Sequence, residues 1–251
     1  MKPRAIVLRA AGVNCDKESE YALSLAGFEA TRVHLFRVIE QPALLDDVQL
    51  LMFPGGFSYG DDVAAGKIFA NQIIHRLAEP LNKFVADGKL ILGVCNGFQV
   101  LIKSGLLPWG KADAASANQD ATLGWNDSGS FIDRWIRLAS DGDKCVFLKR
   151  GESLQLPIAH GEGKFLTASK QILKKLRDGQ QIVVRYEGDN PNGSEDDVAG
   201  ICDPTGRVFG LMPHPERFVD ITQHPAWTRG QVKRADGLVV FQNAAAYLKS
   251  S

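Results

Sequence analysis

Three runs of almost uninterrupted apolar residues, AIVL (5–8), VQLLMFP (48–54) and KLILGV (89–94), constrain this chain more than any other feature. A strand with one wet face alternates apolar and polar residues. A strand that is apolar throughout must be covered on both sides, which is the situation inside a parallel sheet sandwiched by helices. The intervening segments carry helical spacing. DKESEYALSLAG (16–27) has acidic residues in its first turn and Gly27 as a C-cap, and AAGKIFANQIIHRLAEPLNKFVADG (64–88) holds helix with a break expected at Pro80. FEATRVHLF (28–36) reads as a second strand. The expected class is α/β, with a largely parallel central sheet and helices on both faces.

From about residue 110 to 160 the pattern changes. GSFIDRWIRL and SLQLPIAH are short strand candidates separated by turn residues, which suggests an antiparallel extension of the sheet. A helix, ASKQILKKLRDG (168–179), then precedes the strand candidates QIVVRY, VAGICD and RVFGLMP, and GLVVFQNAAAYLK (237–249) reads as a helix. Without repeats or a low-complexity linker, residues 1–251 are expected to form a single domain.

Charge and cysteine usage narrow the function. Lys plus Arg and Asp plus Glu number 29 each, so no electrostatic footprint for nucleic acid or an anionic membrane exists. No apolar run approaches the ~20 residues of a spanning helix, and the apolar patch in MKPRAIVLRAAG is too short for a secretory signal. Cys15, Cys95, Cys145 and Cys202 form no C-x-x-C pair. That argues against a metal site built on paired cysteines and against a disulfide framework, and points to a reduced, cytoplasmic protein.

One cysteine stands out. In LILGVCNGFQVL (90–101) the fourth strand stops at Cys95, between Gly93 and Gly97, and an amphipathic stretch starts at once. Functional loops of a parallel sheet collect at the carboxyl ends of its strands. Strand, G-V-C-N-G, helix is the layout of a nucleophile elbow with a thiol in place of a hydroxyl. The helix dipole there favours a thiolate, and the backbone N–H of Asn96 is placed to donate to an oxyanion. A base is offered by GLMPHPER (210–217): Pro213 and Pro215 stiffen the chain around His214, and Glu216, two residues on, falls on the same side to orient the imidazole. FPGGFSYGDD (53–62) and AAGVNCD (10–16) follow the third and first strands, so both should reach the same edge. The first can supply further oxyanion donors at Gly55, Gly56 or Phe57, whereas its spacing fits neither a dinucleotide loop nor a Walker A loop. Of the other histidines, His160 lies on a glycine-flanked loop within reach of a site, His34 and His75 read as structural, and His224 as surface loop. A thiol, a base, a carboxylate and oxyanion donors suit acyl transfer through a thioester, and leave the acyl group unnamed.

GVCNGFQVL with MPHPER resembles the class I (triad) glutamine amidotransferases. GVNCD, FPGGFSYGDD, NDSGSFIDRW, PIAHGEGKF and NPNGSEDDVAGI extend the resemblance over nearly the whole chain, most closely to the glutaminase components of phosphoribosylformylglycinamidine synthases. The resemblance implies the flavodoxin-like amidotransferase fold and a Cys95–His214–Glu216 triad that hydrolyses glutamine through a γ-glutamyl thioester. It also implies substrate binding by Gly56, Asn96 and Gln99, with no metal or cofactor in this chain. The implied partner is a large synthetase subunit, with a small bridging subunit in some forms, which binds ATP and magnesium, uses the ammonia and completes the glutaminase site. VDITQHPAWTRGQVKRADG (219–237) is longer than a compact standalone subunit needs, and resembles the ending of the domain in single-chain synthases. Two other readings stay open: a silent docking subunit on the same fold, and a hydrolase of other γ-glutamyl compounds.

Overall fold

The three apolar runs form neighbouring strands of the main sheet, buried along nearly their full length. The structure, a computed structural model, describes residues 2–61, 63–113 and 120–250. Asp62 of the FPGGFSYGDD segment and residues 114–119 of the middle region lie outside the described residues. The elements in chain order are β1 (Arg4–Arg9), α1 (Asp16–Leu25), β2 (Glu29–His34), α2 (Leu35–Glu40), β3 (Leu50–Phe53), α3 (Lys67–Gln72), α4 (Ala78–Ala86), β4 (Leu90–Val94), α5 (Asn96–Lys103), α6 (Leu106–Trp109), β5 (Ala121–Trp125), β6 (Ile132–Ser140), β7 (Ser153–His160), β8 (Glu162–Thr167), α7 (Lys170–Asp178), β9 (Ile182–Tyr186), β10 (Val198–Cys202), β11 (Val208–Leu211) and α8 (Leu238–Ser250).

Among the described residues, nine strands form one sheet in the order β2-β1-β3-β4-β11-β10-β9-β6-β7, and β5 and β8 pair separately. β2, β1, β3, β4 and β11 are mutually parallel in the flavodoxin-like order. β10, β9, β6 and β7 continue the sheet in antiparallel fashion. The path β1-α1-β2 crosses the sheet in one direction and β3-α3-α4-β4 in the other. Right-handed crossovers therefore put these helices on opposite faces. The strand order reverses at β1 and β3, and the carboxyl ends there open the crevice that holds the site. Among the described residues, no helix is long and apolar enough to cross a membrane.

Several local expectations change. FEATRVHLF is a strand only to His34, whose Nδ1 accepts the Phe36 N–H at 3.2 Å and starts α2. Pro80 sits in the first turn of α4, where no backbone donor is needed; the break lies just before it, in a wide turn over Ile73–Leu77. Gly27 follows the true cap, Ala26, with φ +97°. The β5–β8 pair was not expected. The 219–237 segment folds as short 3-10 turns, Ile221–Gln223 and Trp227–Arg229, against the β6–β7 hairpin. Asp236 there accepts the Gln155 N–H at 2.8 Å.

Candidate active site

β4 and β11 end level with each other, Val94 beside Leu211, so the residues that follow them emerge together. The Cys95 N–H donates to the Leu211 carbonyl at 2.8 Å. Cys95 is at φ 50°, ψ −107°, a left-handed conformation that costs a side-chain-bearing residue ~1–3 kcal/mol. Close packing of α5 imposes it. A Cβ at Gly97 would lie 1.9 Å from the Phe53 carbonyl oxygen, and one at Gly93 would lie 2.5 Å from Leu101 Cδ1. Although it stands at a strand-to-helix corner, Cys95 is only 5% exposed. Its Sγ faces the Ala159 carbonyl at 3.7 Å, so β7 crosses over the nucleophile.

Beyond β11 the chain turns through Pro215–Arg217, and the His214 N–H donates to the Pro157 carbonyl at 2.8 Å. Nδ1 of His214 meets Glu216 Oε1 at 2.6 Å, and both side chains are buried. Nε2 has no hydrogen-bond partner among the described residues. Burial opposes the imidazolium, but the Glu216 carboxylate, together with the Cys95 and Cys15 thiols, holds the His214 pKa well above its ordinary value. With Nδ1 tied to Glu216, Nε2 is the nitrogen available for proton transfer.

The loops after β1 and β3 are sewn together. Phe57 N–H donates to Gly12 O at 2.9 Å, Tyr59 N–H to Ala11 O at 2.7 Å, and Val13 bridges Gly56. Gly56, at φ 140°, and Gln99 line the same cavity of about 330 Å³ as Cys95, together with His160, Glu162 and Trp125. Asn96 opens α5, so its N–H is not consumed within the helix. Its side chain accepts the Ser58 N–H at 3.2 Å and donates to Gln99 Oε1 at 2.9 Å. Gln99 in turn donates to the Glu162 carbonyl at 2.5 Å. Cys95, His214, Glu216, Gly56, Asn96 and Gln99 thus converge, and the Gln99 amide braces the cavity wall.

His160 ends β7 rather than lying on a loop, because its segment pairs with β6 through Ile132. Its Nδ1 meets Asn126 Oδ1 at 3.0 Å, and burial, with the nearby His214, lowers its pKa to about 4. His224 is buried instead of lying at the surface: its ring packs on Trp135 at 4.5 Å and bonds Gln155 Oε1 at 3.1 Å. The sequence drew attention to the Cys15 loop but not to the thiol. Cys15 Sγ, a His214 ring nitrogen and a Glu216 oxygen lie within 4.8 Å of one another, the one trio of this kind among the described residues. Arg217 donates to Cys15 at 3.1 Å. A cation seated in the trio would meet the Arg217 guanidinium and compete with the His214–Glu216 hydrogen bond, so the arrangement serves proton transfer better than metal binding.

Residues 2–248 match the model of the CobB/CobQ-like glutamine amidotransferase domain. The chain is 43% identical to the phosphoribosylformylglycinamidine synthase subunit PurQ of Dehalococcoides mccartyi, covering 99% of this chain and 98% of that one. It is 38% identical to the subunit of the same name from Thermotoga maritima, over 99% and 100% of the two chains. The structure superposes on a chain of PurLQS from Thermotoga maritima with TM-score 0.78 and 37% identity, covering 99% of this chain and 100% of that one. A glutamine amidotransferase from Thermotoga maritima shares the fold, with TM-score 0.54 at 16% identity, over 100% of this chain and 93% of that one.

Proposed function

Because the chain belongs to the CobB/CobQ-like glutamine amidotransferase domain family, we propose that it is the glutaminase subunit of phosphoribosylformylglycinamidine synthase. The observation that carries this reading is the meeting of Cys95 with the buried His214–Glu216 pair, in a chain alike over its whole length to subunits of that synthase.

Cys95 Sγ attacks the carboxamide carbon of glutamine. The N–H groups of Gly56 and Asn96 hold the developing oxyanion, and Gln99 helps to hold the substrate. His214, kept basic by Glu216, takes the thiol proton and delivers it to the departing nitrogen, so ammonia leaves and a γ-glutamyl thioester remains. Water, deprotonated by His214, then cleaves the thioester and releases glutamate. The ammonia passes to a large synthetase subunit, joined to this chain with a small bridging subunit. There ATP and magnesium support conversion of formylglycinamide ribonucleotide to the amidine in purine biosynthesis. This chain contributes side chains and backbone donors only. The same reading places it in the cytoplasm, where the Cys95 thiol stays reduced.

The test is reconstitution with the synthetase. Glutamine should support amidine formation with stoichiometric glutamate release, and a glutamine analogue bearing an electrophile at its γ-carbonyl position should label Cys95. A complex that uses free ammonia but neither cleaves glutamine nor takes the label at Cys95 would overturn the reading.

A further inference from the structure

The triad carboxylate has a cationic neighbour that the reaction does not use. Arg217 follows Glu216 on the Pro215–Arg217 turn, and its Nη2 lies 3.1 Å from Cys15 Sγ, which is itself within 4.8 Å of a Glu216 oxygen. Glu216 Oε2 is buried and has no hydrogen-bond partner among the described residues. A free guanidinium this close would be expected to seize it, because an arginine–carboxylate pair is strong and often bidentate. Oε1 would then be drawn from His214.

The guanidinium is occupied elsewhere. Its Nη2 donates to Cys15 Sγ at 3.1 Å, and its Nε lies 3.5 Å from Glu18 Oε2. Both partners come from the start of α1, and Cys15 is itself held. Cys15 Sγ also faces Asn14 Oδ1 at 3.2 Å, and the Cys15 carbonyl accepts the Ser19 hydroxyl at 2.7 Å. Gly55 packs beside the thiol: a Cβ there would lie 3.2 Å from Cys15 Sγ and 2.7 Å from His214 Cε1.

We propose that Cys15 and Glu18 are positioning residues that hold Arg217 away from Glu216, so that the triad carboxylate serves His214 alone. Neither touches substrate. They act by keeping a competitor occupied, and Arg217, while so held, fastens α1 to the triad turn.

This inference rests on the glutaminase reading, and the test separates the two. The complete chain is assayed with its synthetase partner, with glutamine and with free ammonia. Glu18→Gln combined with Cys15→Ala should lower the glutamine-dependent kcat about 10- to 100-fold, short of the ~10⁴-fold loss when a triad carboxylate is neutralised, with KM for glutamine and ammonia-dependent synthesis little changed. Adding Arg217→Gln should reverse most of the loss, because the competitor is gone; the remainder is the direct effect of removing Cys15 Sγ, which lies within 4.8 Å of His214 and Glu216. Glu18→Gln alone, at a half-exposed side chain, should show a smaller loss of the same kind. An unchanged kcat in the double variant, or a loss that Arg217→Gln does not reverse, overturns the proposal. A wild-type complex that never cleaves glutamine overturns the underlying reading instead.

Discussion

The two halves of the sheet do different work. The parallel half, β2-β1-β3-β4-β11, delivers Cys95, Gly56, Cys15 and the His214–Glu216 pair from the ends of its strands. The antiparallel half and the small β5–β8 sheet deliver the cover: the Ala159 carbonyl, His160, Glu162, Trp125 and the nearby Phe131. Parallel strands end together at one edge, so side chains distant in sequence can be set against one another. Antiparallel strands return over that edge and close it. Reactivity and enclosure are therefore separable here, and substitutions in the two halves should fail in different ways.

The hardest blow falls in the parallel half. Cys95→Ala should abolish glutamine-dependent synthesis, by ~10⁴-fold or more, and leave ammonia-dependent synthesis intact. Substantial glutamine use by that variant would break the division outright. Glu216→Gln should lower kcat by ~10⁴-fold without a comparable rise in KM, since it removes the charge that keeps His214 basic; steady-state kinetics of the complex would read this.

The cover should fail through stability and binding. The His160 pKa is lowered to about 4 in the folded chain, mainly by burial, against an ordinary value near 6.5. The unfolded chain therefore binds the proton first as pH falls. The stability owed to neutral His160 is complete above about pH 6.5 and is lost progressively toward pH 4. Between pH 7 and pH 5 the loss from this group is ~2 kcal/mol. Denaturant titrations at the two pH values should show His160→Asn losing less stability than the wild type, and an equal loss would remove His160 as the source. Smallest of all, Trp125→Ala, at an exposed side chain on the cavity wall, should raise KM for glutamine ~3- to 10-fold with kcat within about twofold. A kcat effect larger than the KM effect would mean that the cover takes part in the chemistry.

The two halves also differed in how far they could be read in advance. β1, β3 and β4 announce themselves because burial on both faces forces continuous apolar runs, and Cys95 because a strand, two glycines and a helix meet there. His214 and Glu216 are legible because the flanking prolines fix the local backbone. β5 and β8 are not: ATLGW and EGKFLT are short, contain glycine, and are stabilised by each other across a long stretch of chain. His224 looked superficial because Trp135, which covers it, lies far away in sequence. The Cys15–Arg217 contact joins residues 202 positions apart, and nothing local to either residue signals it.

The position of β11 has a consequence for how the molecule comes into being. It is inserted between β4 and β10, yet both precede it in the chain. During synthesis the thiol-bearing corner emerges long before the strand that completes its neighbourhood, and until then the sheet has a gap at its middle. Closing that gap requires contacts of large sequence separation, which form slowly. A nascent chain thus emerges with its nucleophile and oxyanion loop well before its base.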